Sequence, residues 1–178
     1  MRGSTLLALA RSALVESTGG PKVVISSDPW LSEPGACFVT LRKSGELRGC
    51  IGSVEPRRAL GVDVVENAKA AAYSDPRFPP FREAELPATR VAVTLLSPIE
   101  PTQARSQQEA ISLLRPGVDG VVLQWGGRRA VFIPKVWEKL PDPSRFLVAL
   151  QHKAGWPGGW MPGMTLSRFT AEDWAEPD

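Results

Sequence analysis

Two stretches of this chain carry turn chemistry that permits little besides a tight reversal between strands, and they constrain the fold more than any other feature. Cys37-Phe38-Val39-Thr40-Leu41-Arg42-Lys43 and Leu47-Arg48-Gly49-Cys50-Ile51-Gly52 flank Ser44-Gly45-Glu46, while Gly120 to Trp125 and Arg128 to Ile133 flank Gly126-Gly127. Such runs predict antiparallel hairpins, because glycine-containing pairs supply the positive φ angles that the favoured hairpin turns need. With Ser44-Gly45 as the loop, Lys43 faces Glu46, Leu41 faces Arg48, Val39 faces Cys50 and Phe38 faces Ile51. Alternation along the strands then places Cys37, Val39, Leu41, Arg48, Cys50 and Gly52 on one face. A three-residue loop would shift the pairing and still leave Arg48 and Cys50 on one face.

The rest of the chain adds helices to this frame. Leu6, Leu9, Ala10, Ala13 and Leu14 recur at helical spacing behind a cap at Ser4 or Thr5, and Thr18-Gly19-Gly20-Pro21 ends that helix. Val23 to Gly35 reads as a connecting loop anchored by Trp30 and Leu31. Leu60, Val64, Ala68, Ala71 and Ala72 mark a second helix over Arg58 to Tyr73, with Asn67 on its buried side and in need of a partner. Thr89 to Leu96 alternates as a strand, and Ser106 to Glu109 has capping-box spacing for a short helix. Pro134 to Leu140 reads as a helical turn, Ser144 caps a helix running to Ala154, and Met164 to Phe169 is the last strand. Two hairpins and further strands with intervening helices predict an α+β fold: an antiparallel sheet built from hairpins and flanked by helices.

Composition enters through what it excludes. At 178 residues one compact domain is expected, with a core that needs no disulfide or metal staple. Two cysteines thirteen residues apart and one histidine cannot supply a four-ligand zinc site, so no metal is expected. A formal net charge of +2 gives no strong basic field. Cys37-Phe38-Val39 has some likeness to the aromatic strand of an RNA-recognition domain but lacks its basic lead-in and second aromatic, so nucleic-acid binding is discounted. No apolar stretch approaches a membrane span, and the N-terminal segment lacks an export-signal pattern, which predicts a cytoplasmic protein.

Cys50 is the candidate catalytic residue, and Arg48, Gly49 and Gly52 are candidate ligand-binding residues. The glycines are expected to leave open space beside the thiol, and Arg48 shares its face. A guanidinium about 6 Å from a thiolate is worth roughly 0.7 kcal/mol in water and about 3 kcal/mol at an effective dielectric of 20. That lowers a thiol pKa by about half a unit to two units, so only a partly sheltered site activates it usefully. The alternative is that Cys50 is a small buried hydrophobe and the glycines relieve crowding in a twisted strand. Arg42, Lys43, Arg48, Arg57 and Arg58 cluster around the first hairpin and the following helix start, which suits an anionic small molecule. His152, the only histidine, sits beside Lys153 on the last helix, and nothing in the spacing brings it to Cys50. A disulfide between Cys37 and Cys50 would need distorted strand geometry, so both are expected to be free thiols.

Leu47-Arg48-Gly49-Cys50-Ile51-Gly52 resembles the hallmark hexapeptide of the AMMECR domain family. Further matches follow in the family's order: Glu55-Pro56, Asp75-Pro76-Arg77-Phe78, Leu86-Pro87, Leu95-Leu96-Ser97, Arg115-Pro116-Gly117-Val118-Asp119-Gly120, Phe132-Ile133-Pro134 and Lys153-Ala154-Gly155. The chain departs from the family at Gln151, where many relatives carry a cysteine, so a mechanism that needs a second thiol there is not carried over. The resemblance implies a single α+β domain over 1–178 with a smaller second lobe, and a site suspected around the hexapeptide. It names no cofactor. Prokaryotic members are similar to one component of a system whose others are a Memo-like protein and a radical S-adenosylmethionine protein, which implies partners without a reaction. Two functions therefore stand open: a small-molecule enzyme around Leu47–Gly52, and a non-enzymatic interaction module for such a partner.

Overall fold

The computed structural model describes residues 2–177. In chain order the elements are α1 (Arg2–Ser17), α2 (Pro29–Ser32), β1 (Pro34–Gly35), β2 (Cys37–Lys43), β3 (Glu46–Gly52), β4 (Arg58–Ala59), α3 (Leu60–Tyr73), β5 (Thr89–Leu96), β6 (Glu100–Pro101), α4 (Gln107–Leu113), β7 (Gly120–Trp125), β8 (Arg128–Phe132), α5 (Pro143–Lys153), β9 (Thr165–Phe169) and β10 (Ala171–Ala175). Short 3-10 turns occupy Glu83–Ala88 and Pro134–Glu138. The fold is α+β with antiparallel sheets, and the two hairpins lie in separate sheets, ordered β10-β5-β2-β3 and β6-β9-β7-β8.

These sheets belong to two compact units, Met1–Leu96 with Glu172–Asp178, and Ser97–Ala171. In the first, Val39 and Leu41 of β2 and Val91 and Val93 of β5 pack against Leu6, Ala10 and Ala13 of α1 and Val64 and Ala68 of α3. Strand period two meets helix period three and four across that layer, which is why both patterns were visible in the sequence. In the second unit Leu123, Leu166, Phe146, Leu147 and Leu150 form the core, and the Trp137 and Phe146 rings stack at 3.7 Å.

Several expectations need correction. The last helix is capped by Asp142, whose Oδ1 accepts the Arg145 N–H at 2.8 Å, with Pro143 in the first turn where its missing N–H costs nothing; Ser144 is already inside. The loop over Val23 to Gly35 contains α2 and β1, and β10 follows β9. The largest correction concerns the first hairpin. Ser44 and Gly45 form the two-residue turn with φ of 51° and 83°, and Lys43 faces Glu46 as expected. A bulge then leaves Arg48 as an extra residue, so that Arg42 faces Leu47 and Leu41 faces Gly49. One inserted residue reverses every side chain beyond it. Cys50 consequently faces Thr40 and Gly52 faces Phe38, on the side of the sheet opposite the core residues Val39 and Leu41.

Candidate functional site

The bulge decides where the hexapeptide's side chains go. Gly49 and Ile51 take the helix-facing positions, and a Cβ on Gly49 would lie 2.1 Å from the Ala71 carbonyl oxygen of α3. A Cβ on Gly52 would lie 2.2 Å from the Phe38 ring. The open space expected beside Cys50 at these glycines is therefore filled, by a helix backbone at one and an aromatic ring at the other.

Arg48 is buried to 7 % exposure and committed to protein partners. Its Nε and Nη2 donate to the two Glu85 carboxylate oxygens at 2.9 and 3.0 Å, and Nη2 also donates to the Pro79 carbonyl at 2.9 Å. The guanidinium carbon lies 5.3 Å from the Phe81 ring centre and 6.0 Å from that of Phe78. Its Nη1 is buried without a hydrogen bond, leaving those aromatic faces as its compensation. Hydrogen bonds from Arg48, and then from Lys43, bring the Glu85 carboxyl down to about 2 against the opposing effect of burial. Glu85 lies 37 residues away from Arg48 along the chain.

Cys50 is half-buried and a free thiol. Its Sγ lies 3.1 Å from Thr40 Oγ1, its cross-strand neighbour. Its backbone N–H donates at 2.9 Å to Asp75 Oδ2, the same oxygen that accepts Arg77 Nη2 at 2.7 Å. Asp75 Oδ1 takes the Arg77 Nε at 2.9 Å and the Arg77 backbone N–H at 3.1 Å, closing a turn of the Asx kind. The Arg77 side chain, then the backbone N–H groups of Cys50 and Arg77, hold this buried carboxylate well below the usual range. Arg77 itself is 55 % exposed at its side chain. Hydrogen bonding to Asp75, then the charges of Asp75 and Cys50, push its pKa upward. The cation tied to the Cys50 backbone through Asp75 is thus Arg77, which sequence reasoning passed over; Asp-Pro-Arg directly after a helix was the available signal.

A second polar cluster lies under β2. Asp63 Oδ2 accepts the Cys37 N–H and the Asn67 side-chain amide, each at 2.9 Å, and Oδ1 accepts Ser53 Oγ and Arg58 Nε, each at 2.8 Å. Asn67 also donates to the Cys37 carbonyl at 3.0 Å, which gives the buried amide the partner it was expected to need. Burial, then the negative charge of Asp63, pushes the Cys37 thiol far up, so Cys37 behaves as a core residue.

Elsewhere, His152 is exposed in the last turn of α5 and Gln151 is fully buried, exchanging amide hydrogen bonds with Gln107. Among the described residues no group of three His, Cys, Asp or Glu side chains is placed to hold a metal ion, and no helix is long and apolar enough to cross a membrane.

The comparisons agree on kinship. A protein from Methanothermobacter thermautotrophicus is 38 % identical, the match covering 96 % of this chain and 92 % of that one. Protein MJ0810 of Methanocaldococcus jannaschii is 34 % identical over 98 % of this chain and 90 % of its own. The crystal structure of the uncharacterised protein PH0010 from Pyrococcus horikoshii superposes with a TM-score of 0.82 at 30 % identity, covering 98 % of this chain and 91 % of that chain. The AMMECR1 family pattern matches residues 7–174, the hexapeptide and the Asp75 loop included. The chain belongs to the AMMECR1 family.

Proposed function

We propose that Cys50 is the reactive group of a small-molecule site on the outward side of β3, with Arg77 receiving an anionic group of the ligand. The observation that carries this reading is the shared Asp75 carboxylate: one oxygen fixes both the Cys50 backbone and the Arg77 guanidinium, so that a residue with a half-buried thiol and a residue with an exposed cation are held by one group. A thiol with some solvent access and a nearby cation is the environment in which cysteines react. Thr40 Oγ1, at 3.1 Å, donates to the sulfur when it is ionised. Arg48, Gly49 and Gly52 support the site from behind: Arg48 ties the Asp75–Phe81 loop at Pro79, and the glycines let α3 and Phe38 close on the strand.

Charge-selective alkylation tests this reading. Relative to the urea-unfolded chain, native Cys50 is expected to favour iodoacetate over neutral iodoacetamide, and Arg77→Ala to remove that preference. Equal preference in the native and unfolded chains would remove the anion from the proposal.

A second reading rests on a separate observation. Asp75 and Phe81 are buried while Pro76, Arg77, Pro79 and Pro80 between them are exposed, so the loop is pinned at both ends and presents a proline-rich surface. Such a loop suits docking onto a protein, for which a Memo-like or radical S-adenosylmethionine protein is the candidate that the family likeness offers. Pull-downs with Cys50→Ser and Arg77→Ala separate the readings. A complex retained by Cys50→Ser with cellular function lost favours chemistry, and a complex lost with Arg77→Ala alone favours docking.

A further inference from the structure

We infer that Lys22–Asp28 is a self-recognising strand, through which two copies of this chain pair antiparallel about a two-fold axis at Ile25. The segment Lys-Val-Val-Ile-Ser-Ser-Asp runs between α1 and α2 without turn or bend. Among the described residues, the backbone N–H and C=O groups of residues 24–27 make no hydrogen bond, and the Val23 N–H reaches only Glu16 Oε2 at 3.4 Å. Val23 is half-buried and packs on the core, and Ile25, 37 % exposed, leans the same way, its Cγ2 2.7 Å from where a Cβ on Gly61 would lie. Val24 between them is 87 % exposed. That alternation is a strand's, and a β-branched strand with an unpaired backbone is a template for another strand.

The sequence itself selects the occupant. When the segment pairs antiparallel with its own copy about Ile25, Lys22 lies opposite Asp28 at both ends, Val23 opposite Ser27, and Val24 opposite Ser26. Only this register sets both charge pairs directly across from each other, and like charges meet nowhere in it. The two Val24 side chains become diagonal neighbours on one face. Alongside them lies an open groove of about 390 Å³ between the segment and α1, with Ala8, Leu9 and Leu31 among its lining and no charged side chain, where Val24 of the second copy finds apolar contact. The isologous arrangement is the usual one for homodimers. An interface of one short ribbon is at the small end of the scale, so the association is weak and visible only on concentration.

Two measurements on the full chain test this. Sedimentation across a series from about 10 µM to about 1 mM is expected to show reversible dimerisation, and amide exchange within 23–27 to slow in step with it. Lys22→Glu sets like charges opposite each other twice and is expected to weaken the dimer ~10-fold. Adding Asp28→Lys to that variant restores the complement and the affinity. Both positions are exposed, and Asp28 makes no side-chain cap bond to α2, so neither variant threatens the fold. A synthetic peptide of residues 21–29 competes with the dimer. A monomer throughout the series with unprotected amides overturns the inference. So does a dimer indifferent to charge reversal, or protection of these amides by a different protein without self-association.

Discussion

Asp75 holds the backbone of Cys50 at 2.9 Å across 25 residues of chain, and with the same side chain it holds Arg77. The carboxylate is buried, so the backbone position of Cys50 and the placement of the Arg77 guanidinium depend on one charge. Asp75→Asn keeps an acceptor for Cys50 but replaces the other oxygen with a donor that faces the guanidinium. We expect a loss of about 1–3 kcal/mol in urea unfolding and slower alkylation of Cys50, because Arg77 is released. Unchanged stability and labelling would mean that the shared carboxylate organises nothing.

Arg48 is expected to govern stability rather than chemistry. Arg48→Ala takes the two-pronged partner from the Glu85 carboxylate and leaves it Lys43, removes the tie to Pro79 and empties the space against Phe78 and Phe81, a loss of about 3 kcal/mol. Arg48→Lys does not rescue it fully, since an ammonium cannot make the two-pronged contact. Denaturant titration checks both variants. Full stability in Arg48→Ala would contradict the assignment.

Acid sensitivity follows from the same pair. Glu85 falls from 4.5 to about 2 on folding, so its contribution is complete above pH 4.5, declines as pH falls, and is gone below about 2. Asp75, lowered as well, acts in the same direction. The urea midpoint of the wild type should fall on acidification through that window, and Glu85→Gln should flatten the slope. Equal slopes in the two proteins would contradict this.

Much of the fold was legible because its signals are local. Ser44-Gly45 and Gly126-Gly127 fix turns by φ, and Thr89–Leu96 and Leu60–Tyr73 show their periods directly. The site was less legible because one bulged residue carries no signature of its own, yet it moves Cys50 from the core face to the face bearing Thr40. Glu85 was missed as the partner of Arg48 for a similar reason: the contact is made by tertiary packing of the 3-10 turn Glu83–Ala88, which sequence spacing does not encode.

The two hexapeptide glycines should differ under substitution. Gly49→Ala drives a methyl into the backbone carbonyl of Ala71, which α3 cannot yield easily, and is expected to cost ~3 kcal/mol or more. Gly52→Ala meets the Phe38 ring first, a side chain that can rotate away, at ~1–2 kcal/mol. Thermal and urea unfolding give the order, and a reversed order would contradict the packing described.

The central claim is that Cys50 is the reactive thiol and Cys37 is sealed. Site-resolved mass spectrometry of iodoacetamide labelling, followed against pH in native and urea-unfolded protein, tests it most directly. The account predicts that native Cys50 labels faster near neutral pH than the same residue in the unfolded chain, while native Cys37, whose thiol is buried and pushed far up, stays unlabelled until the protein unfolds. Native Cys50 labelling no faster than the unfolded chain across neutral pH would contradict it.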